Sequence, residues 1–180
     1  MKRMFATLIL VIVAGCTQEP VVVVPAAVYR DQSAQIASQT NVSADRMVGE
    51  WAIRQRFAVS RTPTGAMSLA ALPNGGLQLS ILNENCRDDV CADEEVLILL
   101  DQTGPGRWTP RGPQSALPAE ELWVMWMDFD TRTAAIGTPS GEFGWIMDKN
   151  PTGGRDRITA ARDIMDWFGY NMQRLEEVVR

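Results

Sequence analysis

The chain has 180 residues, of which 46% are hydrophobic and 22% charged, and its formal net charge at pH 7 is -5. It contains no histidine and three cysteines, which excludes a Ser-His-Asp triad, a Cys-His dyad and any zinc site that uses histidine. Lys and Arg total 17 against 22 Asp and Glu and form no basic block, so a nucleic-acid partner is not expected.

The first 15 residues have the layout of a secretory signal peptide. Lys2 and Arg3 precede an apolar run over 5–14, which ends in small residues before Cys16. The run is shorter than the roughly 20 residues that a membrane-spanning helix needs. Its end resembles a bacterial lipobox, which implies removal of residues 1–15 and acylation of Cys16, and Thr17 in place of Asp implies the outer membrane. A cleaved signal with an incidental cysteine is the alternative.

Residues 16–44 are predicted to be the lipidated cysteine followed by a flexible tether. Pro20 and Pro25 flank four valines, and a stretch rich in Gln, Ser and Ala follows over 31–40. Prolines without apolar periodicity favour an extended linker, although the valines would also suit a short added strand. The folded domain is then expected over 45–180.

Within that domain the pattern is that of an all-β protein. Apolar and polar residues alternate over short stretches separated by turn signals such as 73–76 and 104–106. The predicted strands are 51–57, 67–71, 77–82, 95–100, 107–109, 122–127, 134–136 and 143–147. Apolar residues at three- and four-residue steps predict one helix over 156–168. A barrel or sandwich with a single late helix is therefore expected.

Both ends of this domain resemble bacterial lipocalins of the outer-membrane lipoprotein type. Gly49-x-Trp51 is similar to the family's opening motif, and 144–152 is similar to the Trp-Ile-Leu-Ser-Arg-x-Pro strand before its helix. The resemblance implies an eight-stranded antiparallel up-and-down barrel with one C-terminal α-helix packed on its side. In the family a cation packs over the motif tryptophan and closes one end of the barrel. Here these barrel-closing positions are Gly49, Trp51 and Lys149, with Lys where Arg is usual.

Cys86 and Cys91 remain once Cys16 is acylated. An even pair in an oxidising compartment predicts a hairpin disulfide. A metal site would leave its coordination unfilled without histidine, and a redox role fits the C-x₄-C spacing less well than C-x-x-C. Both remain as weaker alternatives, and neither a metal nor a cofactor is expected.

Strand alternation predicts an apolar interior that would hold a small hydrophobic ligand. The residues expected to line it are Ile53, Phe57, Leu69, Leu79, Ile81, Ile98, Leu122, Val124, Trp126, Ile136, Phe143, Trp145 and Met147. The family resemblance implies a fatty acid or lysophospholipid, and a role in maintaining the bacterial envelope from the periplasmic side of the outer membrane.

The alternative is a filled, anchored barrel that acts as a protein-interaction or inhibitor module without a ligand. Met is adaptable enough to fill a small barrel completely, and the outward apolar residues Trp123 and Met125 would then form the partner surface. Catalysis is not expected, because carboxylates such as Asp88, Asp89 and Asp128 suit turns and strand ends. The sequence predicts no oligomeric state.

Overall fold

The structure is a computed structural model that describes residues 28–57, 66–87, 90–112, 117 and 119–178, with the backbone alone for 82–94. The predicted signal peptide and Cys16 lie outside the described residues. Among the described helices, none is long and apolar enough to cross a membrane.

The described chain is mostly β-strand, and each of the eight predicted strands is present. The strands are β1 Gly49–Phe57, β2 Ala66–Ala71, β3 Leu77–Arg87, β4 Val90–Gly104, β5 Arg107–Pro110, β6 Leu122–Met127, β7 Thr133–Gly137, β8 Gly144–Asp148 and β9 Leu175–Glu177. The helices are α1 Ala44–Met47 and α2 Arg155–Trp167, and a 3₁₀ turn spans Met172–Arg174. β3 and β4 form a longer hairpin than the alternation predicted.

The strands close into a barrel with up-and-down topology. Each strand from β1 to β8 pairs antiparallel with the next, and β1 also pairs with β8. The start of β1 pairs with β2, whereas its last three residues pair with β9. Closure leaves these strands fewer unpaired edges on which other chains could assemble. The predicted eight-stranded barrel is confirmed.

Apolar side chains pack in two layers, one on each side of the sheet. The interior cluster fills the barrel and includes Trp51, Ile81 and Trp108, each at most 2% exposed. The outer cluster lies between the barrel wall and α2, where Met165 and Ala161 of the helix pack against Ile146 and Ala135. Because the sheet is buried on both faces here, β7 and β8 are buried at every position.

Helix α2 begins one residue before the predicted start, and it also ends one residue early. Gly169 has a φ of +88°, a conformation that a side chain rarely adopts. Tyr170 N donates to Met165 O at 3.0 Å, and Gly169 N donates to Asp166 O at 2.8 Å. This is the Schellman arrangement that ends a helix at glycine, and it turns the chain back toward the barrel.

Residues 28–44 pack on the barrel, although the sequence analysis placed them in a flexible tether. Tyr29 N donates to Gly141 O, and Gln39 N donates to Val124 O, both at 2.8 Å. Tyr29 is 6% exposed and Val42 only 2% exposed. The physical reason is that Tyr29 and Val42 are far apart in the sequence, so their burial follows no helix or strand periodicity. The preceding residues, 16–27, lie outside the described residues.

Candidate functional site

The barrel encloses an apolar cavity of about 30 Å³. Its lining side chains, all apolar apart from the indole nitrogens, are Met47, Met67, Leu69, Leu77, Leu79, Leu100, Trp108, Leu122, Val124, Ile136, Trp145 and Met147. A ligand pocket for a drug-sized molecule usually measures about 300–1,000 Å³, so the interior packing leaves room for only one or two water-sized groups. A larger guest requires side chains to move.

Three of the lining residues are methionines, which suits such movement. Met47 comes from α1, Met67 from β2 and Met147 from β8, and each is at most 3% exposed. Methionine is unbranched and adapts its shape to the space available. The methionines are therefore the lining side chains best able to change shape around a guest.

Most of the residues predicted to line a pocket do lie inside the barrel. Those that line the cavity are Leu69, Leu79, Leu122, Val124, Ile136, Trp145 and Met147. Ile53, Ile81 and Ile98 belong to the interior cluster but not to the cavity wall. Whether any of them contacts a ligand stays a prediction.

Two of the predicted residues lie on the opposite side of the sheet. Phe57 and Trp126 belong to the outer cluster, because a β-bulge precedes each of them. The register of β1 shifts between Ile53 and Gln55, and that of β6 shifts between Val124 and Trp126. One extra residue reverses the alternation of every side chain beyond it, which the sequence pattern did not reveal.

The third exception, Phe143, precedes β8 and belongs to neither cluster, although it is 6% exposed. Its backbone oxygen accepts a hydrogen bond from Tyr170 Oη at 2.9 Å. Sequence reasoning also missed part of the cavity wall. Met67 and Leu77 follow the apolar alternation of their strands, and this alternation could have identified them. Met47 lies on a one-turn helix, which is too short to show an apolar periodicity.

The predicted barrel-closing residues meet at one end of the barrel. Lys149 Nζ lies 5.1 Å from the centroid of the Trp51 ring, within the range of a cation–π contact. The same Nζ donates to Val48 O at 3.1 Å, and Trp51 Nε1 donates to Met47 O at 2.7 Å. Gly49 has a φ of +119°, and a Cβ there would lie 3.7 Å from Lys149 Nζ. Glycine is therefore required by its backbone conformation rather than by lack of space.

One interior polar group has no partner in the described part of the chain. Trp145 is 3% exposed and lines the cavity, and its Nε1 is the buried side-chain nitrogen for which the structure provides no hydrogen bond. The two other interior tryptophans differ, because Trp51 donates to Met47 O and Trp108 Nε1 donates to Gly75 O at 3.1 Å. An indole N–H left unpaired in an apolar interior is costly.

Cys86 and Cys91 lie directly opposite each other in the ladder of β3 and β4. Opposed Cα atoms in antiparallel strands are about 4.5–5.5 Å apart, which is within the range that a disulfide spans. The side chains of both cysteines lie outside the described residues, so the register is compatible with the predicted disulfide, which stays a prediction.

Two buried carboxylates, Asp148 and Asp128, have structural partners in the described chain. Asp148, 0% exposed, accepts from Arg157 Nη2 at 2.9 Å and from Thr133 Oγ1 at 2.5 Å. It therefore pairs with α2 and not with Lys149, its neighbour in sequence. Asp128 accepts from the backbone of Arg132 and Thr133 and so holds the β6–β7 turn. Among the described residues, no group of three or more acidic or cysteine side chains is placed to hold a metal.

Comparison with known proteins identifies the fold. No protein-family model matches the chain, and no curated protein matches it. Among solved structures, the crystal structure of the major allergen Per a 4 from cockroaches matches with a TM-score of 0.57. It is 12% identical, and the match covers 82% of this chain and 94% of that chain. At this identity the likeness shows the fold alone: the chain has a lipocalin-like fold, a closed eight-stranded antiparallel barrel with one C-terminal helix.

Proposed function

We propose that the protein binds a small hydrophobic ligand inside its barrel. The observation that carries the proposal is the closed, wholly apolar interior, whose wall includes three methionines and one unpaired indole N–H. Transfer of an apolar molecule from water to such a site is favourable by about 25 cal/mol per Å² buried. The barrel wall offers no charged group in the cavity, so an acyl chain, as in a fatty acid or lysophospholipid, is the ligand class that fits it.

Binding proceeds by displacement rather than by filling an empty space. The cavity of about 30 Å³ is too small for an acyl chain, so the methionines must adopt other rotamers. The free energy of that rearrangement lowers the apparent affinity. Binding is expected to be selective for slender, flexible molecules.

The proposal includes a lipid anchor at Cys16, supported by the lipobox-like sequence. Each buried CH₂ of an acyl chain contributes about 0.8 kcal/mol, and stable anchoring needs more than one chain. Eleven residues separate Cys16 from Val28, and their extended length is at most about 40 Å. Tyr29 is bonded to the β7–β8 turn, at the end of the barrel away from Lys149. The anchor would therefore hold this end toward the periplasmic face of the outer membrane, where the protein would help to maintain the envelope.

The alternative of a ligand-free interaction module has less support. Its expected surface is largely covered, since Met125 is 4% exposed and packs in the outer cluster, and Trp123 is half-buried against that cluster. Trp123 stacks under Arg107, whose guanidinium carbon lies 4.0 Å from the ring centroid. The filled interior is the observation in its favour.

Extraction and titration test ligand binding directly. Protein purified from a bacterial host is extracted with organic solvent, and the extract is analysed by mass spectrometry. Delipidated protein is then titrated with fatty acids and lysophospholipids while tryptophan fluorescence is recorded. We expect a co-purified lipid and saturable quenching that is reduced in Trp145→Phe. No bound lipid together with no saturable change would refute the proposal.

A separate experiment tests the anchor. Cells that express the full chain are labelled with radioactive palmitate and fractionated. We expect label on the wild-type protein, which stays with the outer membrane, and no label on Cys16→Ser, which is not retained there. Unlabelled wild-type protein would refute the anchor and leave the binding proposal intact.

A further inference from the structure

The unpaired N–H of Trp145 is the most informative polar group in the barrel. The ring lies in the wall of the apolar cavity, opposite Ile136 of β7 in the ladder, and is 3% exposed. Burying such a donor without an acceptor lowers the free energy of unfolding, because the N–H loses its hydrogen bond to water and gains none in the protein. An acceptor supplied from the cavity would recover it.

The other cavity tryptophan shows what a structural indole looks like in this barrel. Trp108 lines the same cavity, is 2% exposed, and donates from Nε1 to the backbone oxygen of Gly75. Its N–H is therefore committed to the fold, whereas the N–H of Trp145, which lines the same cavity, has no acceptor in the described part of the chain. The two tryptophans thus differ in one respect: the fold uses the N–H of Trp108 and leaves that of Trp145 without a partner.

We propose that Trp145 is a specificity-determining residue that donates a hydrogen bond to an uncharged acyl carbonyl oxygen of the ligand. This inference rests on the proposed function and narrows it to acyl esters and related neutral acyl compounds. The residues that line the cavity include no cation, and the one unpaired donor among them, Trp145 Nε1, is neutral. A single neutral donor does not compensate for burying a carboxylate. A neutral carbonyl oxygen needs only one donor, and moving it out of water costs much less free energy than moving a carboxylate.

The arrangement also predicts how such a ligand lies. Trp145 is the second residue of β8, whose other end reaches Lys149 and the closed end of the barrel. The carbonyl is held beside Trp145, and the alkyl chain displaces Met147 and Met67 in the cavity wall. The hydrogen bond from Trp145 thus fixes the orientation of the ligand, whose alkyl chain has no polar group of its own.

The test compares methyl decanoate with n-dodecane, which has the same chain length but no acceptor. We expect wild-type protein to prefer the ester, beyond its preference in solvent partitioning, by about 3- to 10-fold. Trp145→Phe should lose this preference, whereas the control Trp108→Phe should keep it. The bound ester's carbonyl stretch should lie at lower frequency in wild type than in Trp145→Phe, and one indole N–H resonance, absent in Trp145→Phe, should shift on binding the ester.

The outcomes separate this inference from the proposed function. If neither probe binds wild-type protein, the proposed function fails. If both bind and the ester preference is the same in wild type and Trp145→Phe, binding stands and the role of Trp145 is refuted. Decanoate is a third probe, because Arg56 lies opposite Trp145 in the ladder and is half-buried. Decanoate binding more tightly than the ester, with loss of affinity in Arg56→Gln, would overturn the assignment to neutral acyl compounds.

Discussion

Tyr170 shows how a single side chain joins the C-terminal segment to the barrel. Its Oη accepts from Thr138 N at 2.9 Å and lies 2.9 Å from Phe143 O, to which it donates. The ring stacks on Phe57, with centroids 5.2 Å apart, and the residue is 1% exposed. The residue that follows Gly169 therefore bonds the β7–β8 turn from the outside.

Tyr170→Phe is expected to destabilise the fold at neutral pH by about 1–3 kcal/mol, because Thr138 N and Phe143 O lose a buried partner. The variant should also change the pH dependence. Burial raises the pKa of Tyr170 to about 12, so above pH 10 the unfolded chain loses this proton before the folded chain does. Stability from this group is present below pH 10 and falls as pH rises toward 12, by at most roughly 3 kcal/mol.

Urea unfolding of both proteins between pH 7 and pH 12 measures these two effects. The difference between wild type and variant should shrink above pH 10, since only the wild type has the contribution to lose. A difference that stays constant across this range would contradict the role of the buried hydroxyl.

At the scale of strands and helices, the sequence was a good guide wherever the alternation was unbroken. β2, β3 and β8 place Leu69, Leu79 and Met147 inside, as predicted. The predictions failed beyond the bulges in β1 and β6, where Phe57 and Trp126 lie outside. A bulge depends on the pairing register of two strands, so the sequence of one strand does not predict it.

The β3–β4 hairpin carries the prediction of a disulfide between Cys86 and Cys91, which oppose each other in register. Closing a six-residue loop stabilises by about 2 kcal/mol in the chain-entropy account. Alkylation of protein from an oxidising compartment, before and after reduction, should show both cysteines protected until reduction. The double variant to serine should unfold at lower urea concentration by a matching amount. Free thiols in the native protein would disprove the pairing.

The ion pair between Asp148 of β8 and Arg157 of α2 is expected to stabilise the packing of the helix on the barrel. Asp148 is 0% exposed and bonded to Arg157, whose side chain is 15% exposed. Asp148→Asn leaves the guanidinium half of a buried pair without its charge partner and should cost about 3 kcal/mol. Asp156→Asn is the matched control, because that carboxylate is 84% exposed and 3.9 Å from the same guanidinium.

The control should cost less than about 0.5 kcal/mol. Equal losses from the two variants in urea unfolding would show that the buried pair has no special part in holding α2 to the barrel.

For the whole molecule, the motifs at the two ends of the domain were sufficient to predict a closed barrel. Gly49, Trp51 and Lys149 come together as the resemblance implied. The size of the cavity was not predictable, because it depends on how Met47, Met67 and Met147 pack inside the barrel. A hollow barrel and a filled one can have walls of the same amino-acid composition. The packing of residues 28–44 was likewise not predictable from their sequence, because it depends on contacts with the folded barrel.

The filled interior leads to a prediction that concerns stability and binding together. Met67→Ala enlarges the cavity, so the variant should lose about 2–5 kcal/mol of stability. It should also bind methyl decanoate about tenfold more tightly, since one displaced side chain is already absent. Met165→Ala is the control, because Met165 is 0% exposed and packs in the outer cluster under α2.

The control should lose stability to a similar degree without any gain in affinity. Urea unfolding and displacement of a fluorescent acyl ester measure the two quantities on the same preparations, with near-UV circular dichroism to verify folding. Unchanged affinity in Met67→Ala would mean that the ligand does not enter the barrel. A gain in both variants would mean that loosening the fold, rather than opening the interior, controls binding. Affinity that rises only with Met67→Ala would place the ligand among the methionines, where an apolar guest and the native packing compete for the same space.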